Sequence, residues 1–244
     1  MKNIALITAK GGNTSIENKN LIEIEGKSFL AHQIDAAKKS RYIDNVFVST
    51  ECPLIKSEAI KYSAQIIDRP SELAQAFTNH GDAIIHGTMA AREALQEEIS
   101  TVTILLGNTL MNTPDDIDRT IETLNSNTDA DSCMTVWQAQ DDHPYRAMRI
   151  DESGYLQSFL NVKSTDTNRQ SYPNVYFYDQ GPWTVRYKAL MNSKFGETGP
   201  ACWWWMGDKV IPIIRLWVTG KDVHTQLDVE MSRAWAKNKL WEIK

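Results

Sequence analysis

Ile4-Ala5-Leu6-Ile7-Thr8-Ala9-Lys10-Gly11-Gly12-Asn13-Thr14-Ser15-Ile16-Glu17-Asn18-Lys19-Asn20 is the stretch from which the fold is read. An apolar run ends in a glycine pair, and polar residues then lead to Lys-Asn. The run reads as a buried strand. The glycine pair lets the backbone turn sharply and come close to a ligand. Free amide groups with a lysine on either side suit a polyphosphate. In an α/β domain, the carboxyl end of a strand is where a nucleotide sits. The spacing fits neither a Walker loop nor a Gly-x-Gly-x-x-Gly dinucleotide loop. Taken alone, the glycine pair also reads as a plain turn.

Outward from that stretch, strands and helices alternate. Leu30–Lys39 reads as a helix with Ser28 as its cap, and Val46-Phe47-Val48 marks a strand over Asn45–Thr50. A helix over Leu54–Tyr62, a strand over Gln65–Asp68, a helix over Gly81–Glu98 and a strand over Thr101–Leu106 follow. Thr113-Pro114-Asp115-Asp116 carries a cap, a first-position proline and acids facing the helix dipole, so a helix over Asp115–Leu124 is expected. Ser132–Trp137 reads as the next strand. This order predicts a mostly parallel sheet covered on both faces. Residues 143–185 then break the rhythm with Pro144, Gly154, Pro173, Gly181 and Pro182 among short alternating stretches such as Ala147–Ile150 and Val175–Tyr178. Hairpins projecting from the main sheet are expected there. Val210–Trp217 reads as a late strand and Leu227–Lys239 as a closing helix.

Composition narrows the classes. The 244 residues are 42% hydrophobic and 23% charged, ordinary values for a globular chain. A net charge of -5 without a basic block argues against nucleic acid as a partner. No run reaches transmembrane length and no leader pattern is read at the start, so no membrane partner is expected. Cys52, Cys133 and Cys202 share no metal spacing and read as reduced thiols of a cytoplasmic protein. There is no Gly-x-Ser-x-Gly elbow, no His-Glu-x-x-His and no Cys-x-x-Cys.

Six further groups could carry chemistry. Arg69, in Asp68-Arg69-Pro70-Ser71-Glu72-Leu73-Ala74, can fork onto a base edge or a phosphate, or lie on a surface loop. Asp82 and His86 share a helix face, which suits a stabilising pair better than a dyad. Asn108 and Thr109 follow a buried strand and can bond a sugar or base. Asp222 and His224 point one way if extended, but Mg²⁺ prefers oxygen ligands. Asp228 reads equally as an acid favouring a helix start. Arg169 and Gln170, with Tyr172, Tyr176 and Tyr178 close behind, suit a sugar carboxylate or a solvated loop. Trp203-Trp204-Trp205 reads either as a wall of a pocket or interface, or as the edge of a core.

In this order the pieces resemble the cytidylyltransferases that activate acidic sugars: CMP-sialic acid synthetases and their relatives for pseudaminic, legionaminic and Kdo sugars. That family opens on Pro-Ala-Arg-Gly-Gly-Ser-Lys-x-Ile-Pro-x-Lys-Asn, matched by Thr8 to Asn20. Gly26-Lys27, Val48-Ser49-Thr50-Glu51, Arg69 to Ala74, Asp82 with His86, Leu105-Leu106, Thr113 to Ile117 and Thr225 to Asp228 follow in the family's order. The resemblance covers most of the chain. It implies a three-layer, Rossmann-like nucleotidyltransferase fold in one domain over residues 1–244, with a β-rich dimerisation excursion at about residues 140–185. It implies transfer of CMP from CTP to an acidic 3-deoxy-ulosonic sugar with release of pyrophosphate, Mg²⁺ as cofactor, and a homodimer. Ala9, Lys10, Gly11 and Gly12 would hold the triphosphate, and Lys19, Asn20 and Arg69 the phosphate, ribose and base. Asn108 and Thr109 would seat the nucleotide, Arg169 and Gln170 the sugar, and Asp222 with Asp228 the metal.

The departures from the family are equally specific. Its loop arginine is Lys10, its Ser-Lys is Asn13-Thr14, and its Gln-Pro-Thr-Ser-Pro loop is the shorter Gly107-Asn108-Thr109-Leu110. The second aspartate of its Asp-x-Asp is His224. These departures keep two other readings open: a nucleotidyltransferase for another nucleotide or a sugar phosphate, and a non-catalytic homologue that binds a sugar or partner.

Overall fold

The computed structural model describes residues 1–12, 15–160, 166–216 and 221–239. Asn13-Thr14 and Trp217 therefore lie outside the described residues. A seven-stranded sheet forms the frame. Its strands are β1 (Lys2–Thr8), β4 (Asn45–Thr50), β5 (Gln65–Asp68), β6 (Ile99–Leu106), β7 (Ser132–Gln138), β10 (Tyr176–Arg186) and β11 (Val210–Arg215), in the order β11-β7-β10-β6-β1-β4-β5. β1 lies parallel between β4 and β6, with Ile4 opposite Asn45 and Thr8 opposite Leu106. The short antiparallel pair β2 (Glu23–Ile24) and β3 (Lys27–Ser28) precedes the first helix.

The helices are α1 (Phe29–Lys39), α2 (Pro53–Lys61), α3 (His80–Leu95), α4 (Pro114–Ser126), α5 (Tyr187–Asn192) and α6 (Gln226–Asn238). Strand periodicity sorts β1 between two layers. Ile4 and Leu6 pack with Ile84, Ile104 and Trp183 on one face. Ala5 and Ile7 pack with Leu30, Ile34 and Ile117 on the other. The caps read from the sequence are present. Ser28 accepts from the amide of Ala31, and Thr113 and Asp116 form a reciprocal capping box. No helix among the described residues is long and apolar enough to cross a membrane.

One expectation is corrected. Tyr176–Arg186, placed in the excursion by the sequence, is an inner strand of the main sheet. It runs antiparallel between β6 and β7, with Trp183 opposite Ile104 and Met134. The excursion is thus the shorter segment between Gln138 and Tyr176, which face each other across the β7–β10 ladder. It carries the hairpin β8 (Met148–Ile150) and β9 (Leu156–Ser158). Proline and glycine density marked irregular backbone correctly, but periodicity does not say which neighbour a strand will pair with.

The tryptophan run is mostly core. Trp204 and Trp205 are buried, while Trp203 stacks near Tyr178 and Trp183. Trp204 Nε1 donates to Asn79 Oδ1 at 3.0 Å, and Asn79 also caps α3. A Cβ on Gly81 would stand 2.5–2.7 Å from the two indole rings, so only glycine lets the pair dock on the start of α3.

Candidate active site

The carboxyl ends of β1, β4 and β6 open onto a cleft of about 200 Å³, walled by Lys10, Lys19, Asn20, Arg69, His80 and Asp222. A wider recess of about 640 Å³ adjoins it, and Gly11, Gly12, Glu51 and His224 line that recess together with Lys10 and Lys19. Parallel strands leave amides and loop side chains together at this edge, which is why distant residues meet there. A separate groove of about 710 Å³ beside Arg92 and Tyr187 contains none of the predicted site residues; His86 lines it.

Each loop holds its functional group by a specific bond. Asn20 is buried and donates from Nδ2 to the Lys10 carbonyl at 2.9 Å, which closes the glycine loop onto the Lys-Asn segment. Lys19 Nζ donates to the Val223 carbonyl at 3.0 Å. Arg69 is buried, with Nε on the Ser49 hydroxyl at 3.1 Å and Nη2 on the Ser49 carbonyl at 2.6 Å. The surface-loop reading of Arg69 is thereby overturned. Asn108 Nδ2 donates to Asp222 Oδ2 at 3.2 Å, and His224 Nε2 lies 2.8 Å from the same oxygen.

The electrostatics of the cleft share one direction. Burial lowers the Lys19 pKa, with Asp222 opposing, Lys10 adding to the fall and Asp228 opposing. Burial also lowers that of Arg69, with Glu51 opposing. His80 is pushed down to about 4 by burial, then by Arg69 and Lys10, so its imidazole is neutral at pH 7. Its Nε2 lies 2.9 Å from Thr8 Oγ1, and its ring meets Trp205 edge-on at 5.5 Å. Desolvated cations that destabilise one another are relieved by an incoming anion. An anion entering this cleft would relieve all three groups.

Not every predicted residue belongs to it. Ala9 is buried beneath the loop and offers no polar side chain. Thr109 is also buried, and its hydroxyl donates to the Leu106 carbonyl at 3.0 Å. Its backbone instead bridges to Asp222. Asp228 Oδ2 accepts from the amides of His224 and Thr225 and from the Thr225 hydroxyl, at 3.0, 2.8 and 2.9 Å. That is the capping box of α6, so Asp228 serves the helix start. Arg169 and Gln170 are exposed on the excursion, where Arg169 pairs with Asp141 at 3.7 Å. They line neither hollow.

Several residues at or behind the site escaped the sequence. His80 and Glu51 line the hollows; Glu51 ends the Val48-Ser49-Thr50-Glu51 match but carries no assigned role there, and His80 stands in no motif. Behind the cleft, Arg215 Nη1 donates to Asn112 Oδ1 at 3.2 Å, Asn112 Nδ2 to Gln33 Oε1 at 2.9 Å, and Gln33 Nε2 to the Thr109 carbonyl at 2.7 Å. This chain fixes the 107–112 loop that carries Asn108. Asp179 lies 3.6 Å from Arg215, and its carboxyl is pushed up by burial, with Arg215 opposing.

Among the described residues, no three His, Cys, Asp or Glu side chains cluster in a way that would hold a metal ion. A single carboxylate is still a sufficient protein donor where substrate phosphates supply the other oxygens, as Mg²⁺ commonly requires. Asp222 fits that role.

Comparison with known proteins gives the same direction. The sequence profile of the cytidylyltransferase family matches residues 4–149, more than half of the chain. A Helicobacter pylori protein named pseudaminic acid cytidylyltransferase and UDP-2,4-diacetamido-2,4,6-trideoxy-beta-L-altropyranose hydrolase is 27% identical over 168 residues, 68% of this chain and 32% of that protein. The chain thus spans about a third of that relative's length. The post-translational flagellin modification protein B of Campylobacter coli is 24% identical over 197 residues, 80% of this chain and 82% of that one. Among solved structures, CMP:2-keto-3-deoxy-manno-octonic acid synthetase complexed with CTP superposes with a TM-score of 0.71 at 16% identity, covering 98% of this chain and 100% of the other. A 4-diphosphocytidyl-2C-methyl-D-erythritol synthase gives 0.66 at 14% identity, covering 96% and 97%. At these identities the structural likeness speaks for the fold.

Proposed function

The chain belongs to the cytidylyltransferase family, and from that premise we propose that it transfers CMP from CTP to the anomeric hydroxyl of an acidic 3-deoxy-ulosonic sugar. The observation that carries the reading is the cationic cleft at the carboxyl end of β1, where Lys10, Lys19 and Arg69 converge opposite Asp222. The acceptor oxygen attacks the α-phosphorus, the bond to the β-phosphate breaks, pyrophosphate leaves, and the hydroxyl proton passes to water. Such a transfer needs positioning and charge neutralisation more than covalent help. Lys10 and Lys19 supply positive charge over the phosphates, Lys19 from a position held by the Val223 carbonyl. Arg69, clamped on Ser49, supplies a fixed one. Asn20 and Asn108 hold the two flanking loops at their working separation. Asp222 would hold Mg²⁺, which when bound offsets charge on the phosphates.

The acceptor class follows the named activity of the Helicobacter pylori relative and the resemblance of the motifs. Arg169 and Gln170 reach the sugar in a homodimer, in which the excursion of one protomer covers the cleft of its partner. Met148, Ile150, Leu156 and Phe159 of the hairpin are each at least half exposed, an apolar face that a second copy would bury. Cys52, Cys133 and Cys202 are unpaired, which fits work in the reducing cytoplasm.

The test is a thermal-shift panel with CTP, UTP, ATP and GTP, each with and without Mg²⁺. A ligand that binds only the native state raises the melting temperature by mass action. A CTP-selective shift that Mg²⁺ enlarges is expected. A larger shift with another nucleotide moves the substrate. No shift with any nucleotide overturns the reading in favour of a non-catalytic homologue.

A further inference from the structure

Glu51 follows directly on β4, beside the glycine loop. Its Oε1 accepts the Gly11 N–H at 2.6 Å. Its Oε2 is buried with no hydrogen-bond partner among the described residues. The fit is close. A Cβ on Gly11 would lie 3.3 Å from that Oε1 and 2.9 Å from the Cβ of Cys52, so the missing side chain at Gly11 is what brings the amide to the carboxylate. Glu51 also acts electrostatically on Arg69. A carboxylate therefore holds the loop amide and faces the guanidinium that the cytidylyl-transfer reading assigns to phosphate.

A residue that only braced the loop would gain by satisfying both of its oxygens. Burying one of them without a donor is costly. The cost makes sense if the group is displaceable. A negative oxygen in an anion seat is stabilised while the seat is otherwise empty. It is repelled once a polyphosphate arrives, because like charges cannot share so small a site.

We propose that Glu51 is an internal stand-in for a nucleotide phosphate, filling the Gly11 amide seat in the free protein and leaving it when CTP or pyrophosphate enters. The inference rests on the cytidylyl-transfer reading of the cleft. It adds a residue that sets polyphosphate affinity and discriminates against weaker anions. A single inorganic phosphate carries too little charge to displace Glu51, whereas a triphosphate carries enough. When pyrophosphate leaves, the returning carboxylate competes with rebinding.

Isothermal titration of the full chain with pyrophosphate, CTP and inorganic phosphate tests this. Glu51→Gln keeps an acceptor for the Gly11 N–H and removes the charge. Its pyrophosphate Kd is expected to fall about tenfold, and inorganic phosphate to give measurable heat. Glu51→Asp keeps the charge but shortens the reach, and its affinity should fall between wild type and Glu51→Gln. If Glu51→Gln binds pyrophosphate no more tightly than wild type, Glu51 is a brace and the inference is overturned. Should Glu51→Gln fail to fold, Glu51→Asp binding no more tightly than wild type overturns it equally. A wild type that ignores both CTP and pyrophosphate instead overturns the cytidylyl-transfer reading, and this inference with it.

Discussion

The cleft at the end of β1 and the excursion between β7 and β10 were both read as parts of one site, yet they are built differently. The cleft is finished within the single chain: Asn20 is tied to Lys10, Arg69 to Ser49, Lys19 to Val223, and Asn108 to Asp222. The excursion leaves Arg169 and Gln170 in solvent, and Ile150 and Leu156 stand 73% and 65% exposed. Bonds across long sequence separations lock the first region before any ligand arrives. The second region has an apolar face that stays exposed among the described residues. On the proposed reading, the difference teaches that nucleotide binding would be preorganised while acceptor binding would await assembly.

The hardest test of that contrast removes the cation beside the glycine pair. Lys10→Ala should lower kcat/KM by about a thousandfold, the scale of losing one charge-stabilising group in phosphoryl or acyl transfer. Circular dichroism should be unchanged. Steady-state kinetics giving a fall of less than about tenfold would remove Lys10 from its role. A smaller effect is expected at His80. Its folded pKa of about 4 lies below the ordinary 6.5, so the unfolded chain binds the extra proton first. Its contribution to stability is complete above pH 6.5 and is lost as pH falls towards 4. Against His80→Gln, wild type should lose on the order of 2 kcal/mol across that window in urea melts. Parallel pH curves for the two proteins would show that His80 is not held neutral. The mildest change addresses the other region. Ile150→Asp should give a monomer by sedimentation and raise the KM for the sugar about tenfold, with CTP affinity untouched. A change in CTP affinity would show that the two regions are not separable.

The alternation of elements was legible because each carries local chemistry. Gln65–Asp68 has the bounds read from its β-branched pair, and Thr113-Pro114-Asp115-Asp116 specifies its capping box within four residues. Lys10, Gly11, Lys19 and Asn20 were legible as a group because one short loop carries them all. What stayed hidden depends on partners distant in sequence. The antiparallel place of β10 follows from which edges β6 and β7 leave open, and no periodicity in Tyr176–Arg186 encodes it. Glu51, legible only as the end of a motif, and His80 find their partners in Gly11 and Thr8, forty and seventy-two residues away. Asp228 shows the converse error. Two readings competed for one carboxylate, and the structure shows its Oδ2 in the capping box with the nearby Thr225.

The ladder between β7 and β10 has one more consequence. Gln138 and Tyr176 face each other where the chain leaves the sheet and where it returns. The intervening loop thus begins and ends on adjacent strands, like a cassette held by two neighbouring pins. Strand pairing beneath it is therefore anchored outside the cassette. On the proposed reading, in which the excursion carries acceptor recognition, transplanting a hairpin with another acceptor preference onto these two residues would retarget the protein.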